Sequence, residues 1–377
     1  MHSFEILSLI SAIIWIGILL LPWKPYSTKE FLDAEPLKEA PDLSDVTVLI
    51  PARNEAEVIE DTLNALKKQG KGLKIILVDD QSTDGTAKRA KETGIKNLTI
   101  VQGRELPKGW AGKIWALEQG FRLVSSPFTL LIDADIYIKE GLIWALKKKA
   151  LNESYDMVSL MAVLSMKNFW EKLLIPAFVY FFKLLYPFSL CNKKGFPIAG
   201  AAGGCMFLKT EAIKKIGGFE SIKDEIIDDC ALAKKIKKEG YATWIGLTHS
   251  AISKRRYNKL SDIWNMVART AFTQLKYSFL LLLLCTAALI ASFIFPFLGI
   301  FAGTKLGFTL SVLATVSMIK TYIPTLSFYG INRLWALSLP LSGILYLMMT
   351  WTSAIRYICG KRSIWKGRVY SSYDISK

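Results

Sequence analysis

Val46-Thr-Val-Leu-Ile-Pro-Ala-Arg-Asn-Glu55 and, further on, Lys74-Ile-Ile-Leu-Val-Asp-Asp-Gln-Ser-Thr-Asp-Gly85 decide the fold. Each is a short apolar run that stops abruptly in charged residues. Runs of this length without helical spacing read as strands buried on both faces. Between them, Glu57 to Gln69 places Val58, Ile59, Leu63 and Leu66 on one helical face. The pattern then repeats: Asp84 to Thr93 reads as a helix, Leu98 to Val101 as a strand, and Ile114 to Val124 as a helix. Phe128 to Ile132 reads as a strand that ends in Asp133-Ala134-Asp135. Strands that alternate with helices predict an α/β domain on a mostly parallel, doubly wound sheet. Ligands of such sheets sit beyond the carboxyl ends of the strands. Arg53-Asn54-Glu55, Asp79-Asp80 and Asp133/Asp135 all fall at those ends.

Outward from this core the composition changes. The chain has 377 residues, 51% of them hydrophobic and 12% aromatic, which excludes a disordered protein. Five Cys exclude a small disulfide-stapled scaffold, and Cys191, Cys205, Cys230, Cys285 and Cys359 lack zinc-site spacing. A net charge of +16 accompanies a mean hydropathy of +0.29, so apolar and basic residues are segregated. Phe4 to Leu21 is long enough for a transmembrane helix. A cleavable signal peptide is the competing reading, but no basic segment precedes the apolar run and no small-x-small site follows it. An uncleaved anchor over 4–21 is expected, then a linker over 22–44 and a soluble domain over 45–278. Residues 279–301, 306–326 and 334–355 form a C-terminal membrane bundle, followed by a basic tail over 356–377. Lys172 to Leu190 is apolar but short, and it reads as an interfacial helix or a buried core helix.

Lys24 and Lys29 follow the first span, and Lys254, Arg255, Arg256, Lys259 and Lys276 precede the second. The positive-inside rule therefore puts the domain in the cytoplasm, on the inner face of the cell membrane, in a multi-pass protein. Three C-terminal spans would place Arg356, Lys361, Arg362, Lys366 and Arg368 outside, against the same rule. The basic excess carries no nucleic-acid-binding module and fits a face attracted to anionic lipid.

The acidic clusters carry the chemistry. Asp133 and Asp135 would point the same way if the strand continued. Paired carboxylates are costly without a counter-charge, and Mg²⁺ or Mn²⁺ held by one or two carboxylates plus substrate phosphates resolves that cost. Asp79 and Asp80 go beyond the needs of a helix cap, which Thr83 or Asp84 supplies, and could accept hydrogen bonds from a base or ribose. Asp228-Asp229 opens a helix. It suits either the helix dipole or a general base whose pKa its neighbour raises. Gly203 and Gly204, inside Gly-Ala-Ala-Gly-Gly-Cys205, allow tight packing or close approach of backbone to a substrate. Neither a G-x-G-x-x-G nor a Walker A lysine is present. His2 and His249 are the only histidines, which excludes a His-rich metal site and disfavours a serine-type triad.

The ordered set Val48-Leu-Ile-Pro-Ala-Arg-Asn-Glu55, Ile76-Leu-Val-Asp-Asp-Gln-Ser-Thr-Asp-Gly85, Gly112-Lys113, Asp133-Ala-Asp135 and Asp228-Asp229 resembles a family 2 glycosyltransferase. The resemblance spans the whole soluble domain. Gly109-Trp-Ala-Gly-Lys113, Leu174-Ile-Pro-Ala-Phe178, Ala201-Ala-Gly-Gly-Cys-Met206, Ile227-Asp-Asp-Cys-Ala-Leu232 and Met266-Val-Ala-Arg-Thr-Ala271 are similar to the membrane-bound, hopene-associated members. The resemblance implies a GT-A fold, a nucleotide-diphosphate sugar donor (a UDP-sugar before others), a lipid acceptor and inversion at the anomeric carbon. It places Pro51, Arg53, Glu55 and Asp80 in the nucleoside pocket and Lys113 near the donor. It puts Asp133 at the ribose or sugar, Asp135 on the metal and Asp229 at the acceptor hydroxyl. Many relatives carry Q/R-x-x-R-W after the base. Here Trp264 and Arg269 keep only part of it, which argues against a processive polysaccharide synthase. A transporter or scaffold with a catalytically dead domain is the alternative of a different class. It predicts missing acidic residues, or a buried Lys320.

Overall fold

A computed structural model describes residues 3–301, 303–365 and 368–371, with side chains described as far as residue 360. His2 and, from the expected basic tail, residues 366–367 and 372–377 lie outside the described residues. In chain order the elements are α1 (Ser3–Leu20), β1 (Val46–Ala52), α2 (Ile59–Lys67), β2 (Lys74–Asp79), α3 (Thr86–Glu92), β3 (Leu98–Gln102), α4 (Gly112–Phe121), β4 (Phe128–Ile132), β5 (Ile136–Ile138), α5 (Leu142–Asn152) and β6 (Met157–Val163). There follow α6 (Phe169–Leu185), α7 (Phe188–Cys191), β7 (Cys205–Lys209), α8 (Thr210–Lys215), α9 (Asp228–Lys238), β8 (Thr243–Ser253), α10 (Leu260–Ala268), α11 (Ala271–Gln274), α12 (Phe279–Phe293), α13 (Phe295–Ile300), α14 (Lys305–Phe328), α15 (Leu339–Ile358), β9 (Lys361–Trp365) and β10 (Arg368–Ser371).

The chain divides into two compact units. The α/β unit comprises Glu30–Leu164, Leu190–Arg256 and Ser363–Lys377. Its eight-stranded sheet has the order β3-β2-β1-β4-β7-β6-β8-β5. The half built from β3, β2, β1 and β4 is parallel. β7 then enters antiparallel to both β4 and β6, so the sheet is mixed. Alternating side chains feed two cores. Val48, Ile50, Ile75, Leu77 and Leu130 pack on one face with Leu63 of α2 and Leu146 of α5. Leu49, Ile76, Val78 and Leu131 pack on the other with Leu117 of α4 and Leu232 of α9. Burial on both faces is the physical reason these strands read as unbroken apolar runs.

Part of the expected linker belongs to this sheet. Leu32 N donates to Leu247 O at 3.0 Å, and Leu247 N to Glu30 O at 2.9 Å. Asp33 accepts from Thr248 Oγ1 at 2.9 Å and from Ser250 Oγ at 3.1 Å, and its Oδ2 lies 2.9 Å from His249 Nδ1.

The helical unit comprises Met1–Lys29, Ser165–Ser189 and Tyr257–Arg362. Among the described residues, four of its helical stretches are long and apolar enough to cross a membrane: Ser3–Leu20, Phe279–Ile300, Lys305–Phe328 and Arg333–Ile358. The sequence groups Lys172 to Leu190 and residues 257–278 with the soluble domain, whereas the fold places Ser165–Ser189 and Tyr257 onward with these helices. Hydrogen bonds explain the difference for α6. Ser342 Oγ donates to Leu173 O at 2.9 Å, Tyr346 OH donates to Leu174 O at 2.9 Å, and Tyr180 OH pairs with Thr321 Oγ1 at 2.8 Å. Lys320 lies on α14 and is not covered by neighbouring residues of the chain.

Candidate active site

The loops after β1 and β2 are laced together by side chains. Asn54 N donates to Ser82 Oγ, Glu55 N to Thr86 Oγ1 and Thr83 N to Asn54 Oδ1, each at 2.9 Å. Asn54 and Gln81 hold left-handed backbone, with φ of 51° and 56°. Arg53 Nη1 donates to Asp80 O at 2.5 Å and lies 3.9 Å from the fully buried Asp80 Oδ2. Asp79 Oδ1 accepts from Ser82 N at 3.2 Å. Pro51 lies within β1, in register with Val78. The cap expected from Thr83 or Asp84 differs in detail. Gly85, at φ 89°, occupies the N-cap of α3, and Asp84 instead accepts from Thr86 N and Ala56 N.

A second group gathers around Lys113, in the first turn of α4. Its Nζ lies 2.9 Å from Asp133 Oδ1 and 3.1 Å from Asp228 Oδ2. Burial alone would lower the Lys113 pKa, but the charges of Asp133 and Asp228 outweigh it and raise it. Burial raises Asp133, with Lys113 opposing and Asp135 adding to the shift. Asp229 Oδ2 accepts from Gly203 N and Oδ1 from Cys230 N, both at 2.7 Å. Burial and then the neighbouring Asp228 push Asp229 up to about 6, against the pull of Lys113 and the two N–H groups. A Cβ on Gly203 would lie 3.2 Å from Lys113 Nζ and 3.3 Å from Asp229 Oδ2, so the glycine is where the backbone closes on this cluster. Gly204 O accepts from Asp133 N at 3.3 Å.

Asp133 and Asp135 lie in the turn between β4, which ends at Ile132, and β5, and each has its own protein partners. Asp133 faces Lys113, while Asp135 Oδ2 accepts from Ser253 Oγ at 2.7 Å. Arg255 joins this side: its Nη2 lies 3.3 Å from Glu55 Oε1 and its Nε 3.7 Å from Asp135 Oδ2. Sequence reasoning used Arg255 only as a membrane-flanking charge. Trp264 and Arg269 belong to the helical unit, where Trp264 Nε1 donates to Thr352 Oγ1 at 3.2 Å and Arg269 caps the end of α10.

Among the described residues no three His, Cys, Asp or Glu side chains gather as a metal-ligand set. Asp133 and Asp135 still supply hard oxygen donors of the kind Mg²⁺ and Mn²⁺ share with substrate phosphates, so the residues present fit such a cation.

A family model described as glycosyl transferase family 2 matches residues 47–217. A 4,4'-diaponeurosporenoate glycosyltransferase of Staphylococcus haemolyticus is 30% identical over 111 residues, 29% of this chain and 29% of that protein. A poly-beta-1,6-N-acetyl-D-glucosamine synthase of Staphylococcus aureus is 26% identical over 255 residues, 65% of this chain and 56% of that protein. The chain thus spans less than two thirds of the length of either relative. Among solved structures, a mannosyltransferase of Pyrobaculum calidifontis in complex with GDP-Man and Mn²⁺ matches with a TM-score of 0.56 at 19% identity, covering 90% of this chain and 99% of that one. Residues 47–217 thus match the glycosyl transferase family 2 model, and the chain carries a GT-A-like α/β fold.

Proposed function

We propose that the chain is a membrane-bound, inverting glycosyltransferase with its α/β unit in the cytoplasm. It moves a sugar from a nucleotide-diphosphate donor, a UDP-sugar first among the candidates, to the hydroxyl of a lipid, with a hopanoid-type lipid the first acceptor to test. The observation that carries the reading is the convergence of Asp229, Asp228, Lys113 and Asp133 at Gly203, beyond the strand ends of a family 2 domain.

Pro51, Arg53, Glu55, Asp79 and Asp80 form the nucleoside side, and Lys113 meets the donor near its diphosphate. Asp229 takes the proton of the acceptor hydroxyl as that oxygen bonds to the anomeric carbon. The bond to the diphosphate breaks on the opposite face and its electrons leave with the diphosphate. A group raised to about 6 stays largely ionised near neutrality and is a stronger base than an ordinary aspartate. Asp135, with Asp133, would hold Mg²⁺ or Mn²⁺, and such a cation neutralises charge on a leaving diphosphate. The four apolar helices and the relative named for 4,4'-diaponeurosporenoate support a lipid acceptor.

The poly-beta-1,6-N-acetyl-D-glucosamine synthase relative favours a second reading, a polymer-forming enzyme. One experiment separates the two. The full chain in bilayers is incubated with UDP- and GDP-sugars, Mn²⁺ and a lipid extract, and the products are read by mass spectrometry. A lipid gaining the mass of one sugar supports the proposal. A ladder of repeating units supports the synthase, and no transfer from any donor overturns both.

A further inference from the structure

The end of β8 ties together the two sides of the strand-end site. β5 pairs antiparallel with β8, Ile136 opposite Ser253 and Ile138 opposite Ala251. This register brings Ser253 to Asp135 although 118 positions separate them. Ser253 Oγ donates to Asp135 Oδ2 at 2.7 Å, and Lys254 N donates to Asp135 O at 2.8 Å. Ser253 Oγ in turn accepts from Arg255 N at 3.2 Å, which fixes the start of the Arg255 side chain. From there the guanidinium spans two carboxylates, with Nη2 at 3.3 Å from Glu55 Oε1 and Nε at 3.7 Å from Asp135 Oδ2. Both side-chain partners of Asp135 use the same oxygen. Among the described residues none takes Oδ1.

We propose that Ser253 and Arg255 are positioning residues: Ser253 orients Asp135 toward a divalent cation, and Arg255 couples that carboxylate to Glu55 on the nucleoside side. The proposal rests on the glycosyltransferase reading above. Partners that orient a metal ligand through its other oxygen are worth about 10–100-fold in metal affinity. The planar fork of Arg reaches two carboxylates at once, whereas the single ammonium of Lys holds one. A plain surface ion pair would contribute about 0–1 kcal/mol to stability and leave metal affinity alone.

The test uses the full chain in detergent. Mn²⁺ affinity is measured by electron paramagnetic resonance at saturating UDP and, separately, GDP, and nucleotide affinity by calorimetry at saturating Mn²⁺. Asp135→Ala sets the scale of complete loss of metal coupling. Ser253→Ala is expected to weaken Mn²⁺ by about 10-fold while nucleotide affinity at saturating Mn²⁺ is unchanged. Arg255→Gln is expected to weaken both, and Arg255→Lys to recover part of one. Wild-type Mn²⁺ and nucleotide affinities in folded Arg255→Gln would overturn the proposal, as would losses that simply track a lowered Tm. If the unsubstituted chain binds neither nucleotide, the glycosyltransferase reading itself fails and takes this inference with it. If it binds and the variants match it, only the inference fails.

Discussion

Asp229 is pushed up to about 6 because it is buried beside Asp228, while Lys113 and the N–H groups of Cys230 and Gly203 pull it back. A base accepts a proton only when ionised, so kcat should climb as pH rises through about 6 and level off above it, which a pH–rate profile of lipid transfer checks. Lys113→Ala removes the opposing cation, and the acid limb should then move to higher pH. The sign for stability is the reverse. The folded value lies above the ordinary 3.8, so the contribution of Asp229 is present in acid and lost as pH rises toward about 6. Asp229→Asn should lower transfer by about 10²–10⁴-fold while donor affinity by calorimetry stays near that of the unsubstituted chain. Much of this cluster was legible in the sequence, because Asp133 follows an apolar run and Asp228-Asp229 opens a helical pattern. Arg255 was not, since nothing local to Lys254-Arg255-Arg256 distinguishes a charge near a membrane from one that reaches Glu55.

Glu171 organises the start of α6. With Asn168 it forms a capping box, and its carboxylate also accepts from Ser165 Oγ and Lys167 N at 2.8 Å and from Tyr257 N at 2.9 Å. Burial would raise its carboxyl, but the bonds led by those from Tyr257 and Lys167 outweigh it and hold it below the ordinary range. Its stabilising contribution is therefore present above that range and lost as pH falls through the depressed value. Because Glu171 is 1% exposed, Glu171→Leu leaves several buried donors without an acceptor. A loss of about 2–4 kcal/mol is expected in denaturant unfolding of the helical unit, with Glu171→Gln costing less. The apolar face of α6 was readable in the sequence; its partners were not. An amphipathic stripe states that one face is buried, and the same stripe serves a bilayer surface, a soluble core or a neighbouring span.

For the whole molecule, the four candidate spans set a sidedness within the helical unit. Were all four to cross, four crossings would separate Ser3 from Cys359, and both ends of that unit should share one face of the membrane. Cys359 is exposed, whereas Cys191, Cys205 and Cys230 are buried. An impermeant maleimide applied to intact cells should therefore label Cys359 whenever an N-terminal tag is also reached from that side. Labelling of one without the other would mean that a helix enters and leaves by the same face. The basic residues after α15 pull against this arrangement by the positive-inside rule, which makes the experiment decisive.

The sequence by itself determined the strand–helix alternation, the apolar runs long enough for a bilayer and the acidic residues at the strand ends. Each of these is a local record: the period of side chains shows which face is buried, and a run's length shows what thickness it can cross. Tertiary structure alone decided that β7 runs against its neighbours, that Lys113 stands between Asp133 and Asp228, that Arg255 meets Glu55 and Asp135, and that α6 joins the spans. Those outcomes depend on which distant segments pack together. That choice is made by the summed burial and pairing of whole elements, and no window of sequence contains it.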